Sequence, residues 1–287
     1  MELVHEKNLV EIWRVTPSVY FRKGSMAARR QSNGVFIVSE DAVAAVDATT
    51  MEAAQEMMEE SLHLFGQPLR YVFLTHGDGD HVNGLPFFLD QPITVFCSHR
   101  LLGQVLPAGT RSKAAFVAVD GTMRLRLGAL EVELATVQGT AAHSPRDMFV
   151  RVPAEQAVCV GDVAVDLSML HFHAADVENW IATLRGLSAQ GSQYILPGHG
   201  EVYPHSHLDA VAGFMEILLR TARRCLEPLT QAQVLALDEE KLKTMTAECL
   251  SGSDADAQTI LQKAENGAER ELRTVIQSLV RKANADS

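Results

Sequence analysis

Thr75-His76-Gly77-Asp78-Gly79-Asp80-His81-Val82-Asn83-Gly84 is the stretch on which the reading of this chain turns. It follows directly on Tyr71–Leu74, a compact apolar run that reads as a buried strand. Four side chains able to ligate a metal, His76, Asp78, Asp80 and His81, fall within it, interleaved with glycine. Glycine lets the backbone turn sharply, so these side chains can converge instead of alternating across a strand. Imidazole and carboxylate together suit zinc, iron or manganese. An Asp- and Gly-rich turn is also the commonest of loop compositions, so this segment alone leaves the function open. What decides is recurrence at other strand ends. His143 follows Leu130–Val137, in Ala142-His143-Ser144-Pro145. Asp162 follows Ala157–Val160, in Gly161-Asp162. His199 follows Tyr194–Leu196, in Pro197-Gly198-His199-Gly200. In open α/β sheets, sites collect beyond the carboxyl ends of strands, which is where all seven residues are expected to lie.

Outward from these points, Val35–Val38 and Val43–Val46 read as adjacent buried strands across the polar turn Ser39-Glu40-Asp41. Met51–Phe65 has helical spacing and stops at Gly66. Ile93–Cys97 is a further strand, and Met123–Leu127 with Leu130–Val137 forms a hairpin about Gly128. Met148–Val152 and Ala157–Val160 form another strand pair, and Val177–Leu187 a helix. From about His205 the texture changes: Leu208–Cys225, Glu239–Leu250 and Gln258–Lys282 are helical in spacing, the last apart from Asn266-Gly267, with no strand pattern. The expectation is an α/β metal-binding domain over residues 1–204 and an all-helical extension over 205–287.

In order and spread, these residues resemble the metallo-β-lactamase superfamily of metallohydrolases, over roughly residues 10–204. The family pattern is HxHxDH, then His in a GHTPG-like turn, Asp after Gly, and a late His in a GHG-like turn. Asp47, after Val43–Val46, is similar to the early aspartate of a DTG-like turn that supports the metal loop. The resemblance implies a four-layer αββα sandwich with two metals at one edge. One would be held by His76, Asp78 and His143, the other by Asp80, His81 and His199, with Asp162 bridging. It also implies hydrolysis by a metal-bridging hydroxide that Asp80 helps to orient, on an ester, thioester, lactone or related acyl or phosphoryl bond of a small molecule.

The sequence departs from that pattern at Asp78, where most members carry His, and at Ala142 and Arg146 around His143. With a third carboxylate the binuclear centre becomes formally neutral, which weakens its pull on anions and its acidification of water. A harder oxygen ligand moves preference from zinc, the family's usual metal, toward iron or manganese. Flavodiiron proteins resemble this variant in carrying a carboxylate there. That motivates two alternatives, a mono- or di-iron redox enzyme and a centre holding a single metal. A non-catalytic metal-binding protein is a third. His171, His173 and Arg146 are candidate substrate-binding residues, with surface roles as the plain alternative, and His205 and His207 are expected to face solvent.

Composition narrows the rest. Apolar residues at 47% and charged residues at 21% predict a packed core. With 25 basic against 36 acidic residues the net charge is −11, which repels phosphate backbones and anionic membranes, so neither nucleic acid nor membrane is an expected partner. Arg22, Lys23, Arg29 and Arg30 are the one basic cluster and read as a solvated loop. The amino terminus lacks a signal pattern, and Cys97, Cys159, Cys225 and Cys249, without CxxC spacing, read as unpaired buried spectators. A cytoplasmic enzyme is expected, with a homodimer through the C-terminal helices as an option. The apolar stripe Leu208, Val211, Met215, Leu218 and Leu219 would otherwise pack in the core.

Overall fold

In the computed structural model, which describes residues 1–24, 32–172, 175–251, 254–264 and 267–285, the chain is an αββα sandwich extended by C-terminal helices. The first sheet has eight strands in sequential order: β1 (Glu2–Lys7), β2 (Val10–Arg14), β3 (Val19–Lys23), β4 (Gly34–Val38), β5 (Val43–Val46), β6 (Leu69–Phe73), β7 (Thr94–Ser98) and β8 (Ala115–Val119). It is antiparallel as far as β5 and parallel from β5 to β8. The second has six: β9 (Thr122–Leu127), β10 (Leu130–Thr136), β11 (Met148–Val152), β12 (Ala157–Gly161), β13 (Tyr194–Pro197) and β14 (Tyr203–Pro204), again in sequential order.

The strand patterns explain this layering. β4 and β5 are apolar and buried on both faces, because one face meets the other sheet and the opposite face meets helices. Between the sheets, Phe21, Ile37, Val46 and Phe73 from the first interleave with Leu134, Val150, Cys159 and Leu196 from the second. On the outer face of the first sheet lie α1 (Met51–Phe65), α2 (Gly79–Val82), α3 (Leu85–Leu89) and α4 (Leu102–Val105), around a core that includes Phe36, Met57, Leu74 and Phe88. α1 ends where its sequence predicts, at Gly66 with φ 68°, and its start is capped by the Thr50 side chain, which accepts from the Ala53 N–H.

The outer face of the second sheet carries α5 (Val177–Ala189) and α6 (Ser206–Leu226). Beyond them pack α7 (Gln231–Leu235), α8 (Glu239–Ser251), α9 (Ala255–Lys263) and α10 (Ala268–Ala285). Trp180 and Leu184 of α5 share one buried cluster with Leu208, Val211, Met215 and Leu218 of α6 and Leu272, Val275 and Ile276 of α10. The α6 stripe is therefore spent on packing within the chain. No described helix is long and apolar enough to cross a membrane.

Three expectations need correction. Arg22 is not in a solvated loop: it is fully buried, its Nε 2.8 Å from Glu60 Oε2 and its Nη2 2.6 Å from Glu56 Oε2, so it ties β3 to α1. Lys23 pairs with Glu201, while Arg29 and Arg30 lie outside the described residues. Cys225 and Cys249 are not unpaired spectators, because the packing of α6 against α8 brings them together as a disulfide; Cys97 and Cys159 are free and buried. His205 and His207 are half-buried: His205 Nδ1 lies 2.9 Å from Ser192 O, and His207 stacks on Tyr203 at 3.7 Å. Each of these errors concerns a contact made in tertiary structure, which local spacing does not record. β1, β2, β3, β8 and β14 escaped the sequence reading; β1, β8 and β14 are edge strands, and β1 is exposed along nearly its whole length.

Arg22→Ala would strand two carboxylates at a largely buried position. Loss of one partner of a buried ion pair costs about 3–5 kcal/mol. Urea unfolding should show destabilisation of that order, and a change under about 1 kcal/mol would mean the pair contributes little.

Candidate metal centre

Five loops reach the same edge of the sandwich, each from the end of a strand. β5 delivers Asp47; β6 delivers Thr75, His76, Asp78, Asp80 and His81; β12 delivers Asp162 and β13 delivers His199. His143 comes from the connection between β10 and β11. All seven side chains singled out in the sequence meet here. Three overlapping groups are close enough to hold an ion: His76, Asp78 and His143; Asp80, His81 and His199; and His76, His81 and Asp162. In the first, Asp78 Oδ2 lies 3.3 Å from His143 Nε2 and 3.8 Å from His76 Nε2. In the second, Asp80 Oδ2 lies 3.0 Å from His199 Nε2 and 4.0 Å from His81 Nε2. Asp162 stands between them, its Oδ2 3.8 Å from His76 Nε2 and 3.5 Å from His199 Nε2, its Oδ1 3.3 Å from His81 Nε2.

The local backbone is shaped for this convergence. Asp47 is a non-glycine residue at φ 64°, and Thr49 at φ 48°. Such strain persists only where surroundings fix it. Here the Ala48 and Thr49 amides both donate to His81 O, at 2.9 and 3.0 Å. Gly84 completes the bend, since a Cβ there would fall 2.1 Å from Ala48 O. Gly198 is just as constrained: a Cβ would meet Asp162 Oδ1 at 2.2 Å and His81 Cε1 at 2.5 Å, so only glycine lets this turn reach the ligands.

Asp47 and Thr75 determine which ring nitrogens face the centre. Asp47 Oδ1 accepts from the Thr75 amide at 2.7 Å, and its Oδ2 lies 2.8 Å from both Thr75 Oγ1 and His81 Nδ1. Thr75 Oγ1 is also 3.0 Å from His76 Nδ1. With the hydroxyl proton given to Asp47, that oxygen accepts from His76 Nδ1–H. Both rings therefore keep Nε2 free to ligate, as oriented metal-binding histidines do. Thr75 went unnoticed in the sequence, although a short hydroxyl residue between a strand and the first histidine was the available signal.

The residues present fit a cation pair. His76 Nε2, His81 Nε2 and Asp162 Oδ1 are buried with no hydrogen-bond partner among the described residues. An orphaned buried polar atom costs about 1–3 kcal/mol, a penalty that coordination removes. Nδ1 of His143 and of His199 is likewise unpartnered, so packing sets those rings: His143 lies 5.6 Å from Trp180, and His199 lies 5.3 Å from His81.

Protonation follows from the same contacts. Burial, reinforced by His81, lowers His76 to about 4. Burial also disfavours the charged form of His81, yet Asp162 and Asp47 override it and raise that ring well above its ordinary value. His143 rises to about 9, where burial is outweighed by Asp78, Asp162 and Asp147. The His143 hydrogen bond holds Asp78 down at about 2 against its partial burial. Burial acts to raise Asp162, but His81, His76 and His199 keep it well below the usual carboxylate range.

Neither Arg146 nor His171 belongs to any of the three groups among the described residues. Arg146 is half-buried, and its amide donates to Ser144 Oγ at 3.1 Å. His171 is exposed, and His173 lies outside the described residues.

With this geometry established, comparison with known proteins is informative. The metallo-beta-lactamase superfamily profile matches residues 27–199. No curated protein sequence matches the chain. Among solved structures, a metallo-beta-lactamase from Pontibacter korlensis aligns with TM-score 0.61 at 17% identity, over 72% of this chain and 99% of its own. One from Erythrobacter litoralis, with beta-mercaptoethanol in its active site, aligns with TM-score 0.62 at 14% identity, over 75% and 99%. The mono-zinc form of FIM-1 from Pseudomonas aeruginosa gives 0.60 at 19%, over 72% and 95%. These likenesses concern the fold.

Two predictions follow from the tautomer relay and the protonation states. Asp47→Ala should weaken metal binding by about 10- to 100-fold with the ligands themselves intact; an unchanged affinity in competition with a chelator would refute the relay. In the metal-free protein His81 and His143 are protonated at neutral pH and His76 is not. Metal uptake should therefore release about two protons per chain near pH 7, with affinity rising as pH climbs toward the His143 value. Calorimetry in buffers of different ionisation enthalpy measures that release, and none at neutral pH would contradict it.

Proposed function

This chain belongs to the metallo-beta-lactamase superfamily, and on that footing we propose that it is a binuclear metallohydrolase acting on an ester, thioester, lactone or related acyl or phosphoryl bond of a small molecule. The observation that carries the reading is the pair of ligand triads sharing Asp162 between them. His76, Asp78 and His143 would hold one cation, Asp80, His81 and His199 the other, and Asp162 both. Two divalent cations, zinc by family habit, would supply an acidified water as nucleophile and Lewis-acid stabilisation of the oxyanion.

What the protein contributes is orientation and charge. Asp80 is a third exposed at its side chain, so its second oxygen can face both cation and solvent. It would accept a hydrogen bond from the attacking water and aim it. His76, His81 and His199 are almost fully buried and unable to swing away, which fixes where substrate must approach. Asp78 is the most open of the ligands, its side chain 57% exposed, and the entry side lies there. Arg146 and His171 are the candidates for contacting substrate. A homodimer through faces of the C-terminal helices other than the buried α6 stripe is part of the same proposal, as is a cytoplasmic setting, against which the Cys225–Cys249 disulfide counts.

A second reading rests on Asp78 alone. A carboxylate in the first triad favours a harder metal, so iron with redox chemistry on oxygen, nitric oxide or a persulfide is the alternative.

Metal analysis of the purified protein, joined to a panel of ester, thioester, lactone and phosphodiester substrates under zinc, manganese and iron, separates these readings. Two metals per chain with oxygen-independent cleavage are expected. Iron with oxygen-dependent turnover favours the second reading, and less than half a metal per chain sinks both. Asp78→Ala should reduce metal content and kcat together, whereas unchanged values for both would point to a single-metal centre on Asp80, His81 and His199.

A further inference from the structure

The two triads are each built from both sheets, and they are tied across that divide by different bonds. His76 and Asp78 come from the first sheet and His143 from the second. A direct backbone bond secures that junction, from Met148 N–H to Thr75 O at 2.7 Å. For the second triad, Asp80 and His81 come from the first sheet and His199 from the second. There the connection runs through two residues far away in sequence, Ser32 and Asn33, at the entrance to β4.

Asn33 grips the turn that carries His199. Its amide donates to Gly198 O at 2.7 Å, and its Nδ2 donates to Pro197 O and to Gly200 O, both at 3.1 Å. Three carbonyls surrounding His199 thus end on one residue. Asn33 Oδ1 accepts from Gly24 N–H at 3.0 Å, which orients the amide so that both donors face the turn. The neighbouring Ser32 Oγ donates to Asp80 O at 2.7 Å. Ser32 is fully buried and Asn33 is 5% exposed, so these bonds do not compete with bulk water. Lys23, at the end of β3, adds an ion pair to Glu201 just beyond the turn.

We propose that Ser32 and Asn33 are positioning residues for the second cation, setting its affinity separately from that of the first. The inference rests on the binuclear reading above. The physical reason is geometric. His199 Nε2 and Asp80 Oδ2 are 3.0 Å apart on loops of different sheets. The Gly198 backbone is pressed against Asp162 and His81, so the turn has no lateral play on that side. The turn is further held by Asn33, which takes three of its carbonyls, and within its own sheet by the Gly198 N–H donated to Gly161 O at 2.8 Å. Metal ligands tolerate displacements of only a few tenths of an ångström, so freeing the turn weakens one triad. The first triad keeps its Met148–Thr75 bond and the Asp47–Thr75 relay, neither of which passes through Asn33.

The test is a metal titration of full-length protein, with zinc and separately with manganese, reading two site affinities and the metal retained after dialysis. Asn33→Ala and Ser32→Ala are compared with the wild type. Wild type should retain two metals per chain. Asn33→Ala should retain one, with one of its two sites loosened by about tenfold or more while the other changes by less than about twofold. Ser32→Ala should show a smaller loss at the same site. Thermal unfolding of each metal-free variant guards against general unfolding, and Ser32→Ala, which leaves every Asn33 bond in place, reads the same site independently. Asn33→Ala should lose its one metal while the metal-free variant still unfolds in a single cooperative transition. Equal weakening of both sites, or no change at either, overturns the proposal while leaving the binuclear reading intact. A wild type that binds no metal overturns that reading itself, and this inference with it.

Discussion

The carboxylate of Asp47 holds the candidate centre in register. It sits on a left-handed residue at the end of β5, accepts from the Thr75 amide and hydroxyl, and bonds the far nitrogen of His81. Through Thr75 it also settles His76. One buried group thereby turns two imidazoles so that their free nitrogens face the same space, in a place where an unsatisfied polar atom is expensive. The strain of Asp47 and Thr49 is balanced by the paired bonds to His81 O, so the loop that bends to make the site is fastened to the site it makes.

Around that anchor the two sheets divide the labour. Parallel strands β5 and β6 end side by side and deliver the polar loop, while β12 and β13, also parallel, deliver Asp162 and His199 from the opposite layer. The apolar interleaving between sheets sets their separation, and hence whether imidazoles from one layer reach carboxylates from the other. Packing at the sandwich centre and coordination at its edge are for this reason mechanically linked.

Beyond the family match, the helices after residue 204 share their core with α5, whose Trp180 lies against both His143 and Phe172. On α10, Arg281 Nη2 donates to Phe172 O at 3.4 Å and Ser278 Oγ to Ala175 O at 3.0 Å, so this helix is tied to both residues ahead of α5. The Cys225–Cys249 bond joins two of the same group of helices.

Much of this was legible in the sequence, and for a local reason. A run such as Tyr71–Leu74 followed by glycine, aspartate and histidine states where a strand stops and ligands begin, and the same signature recurs at Asp162 and His199. The capped helix Met51–Phe65 was legible too, because its stop signal is a single glycine next in sequence. What tertiary structure alone decided were contacts between residues remote in the chain. Arg22 could not be told from a surface arginine until α1 set Glu56 and Glu60 against it. Cys225 could not be paired until α8 packed on α6, and Asn33 showed no tie to a turn some 165 residues onward. Periodicity and spacing record the conformation of neighbours; which buried donor meets which acceptor depends on how whole layers stack, and no local pattern encodes that.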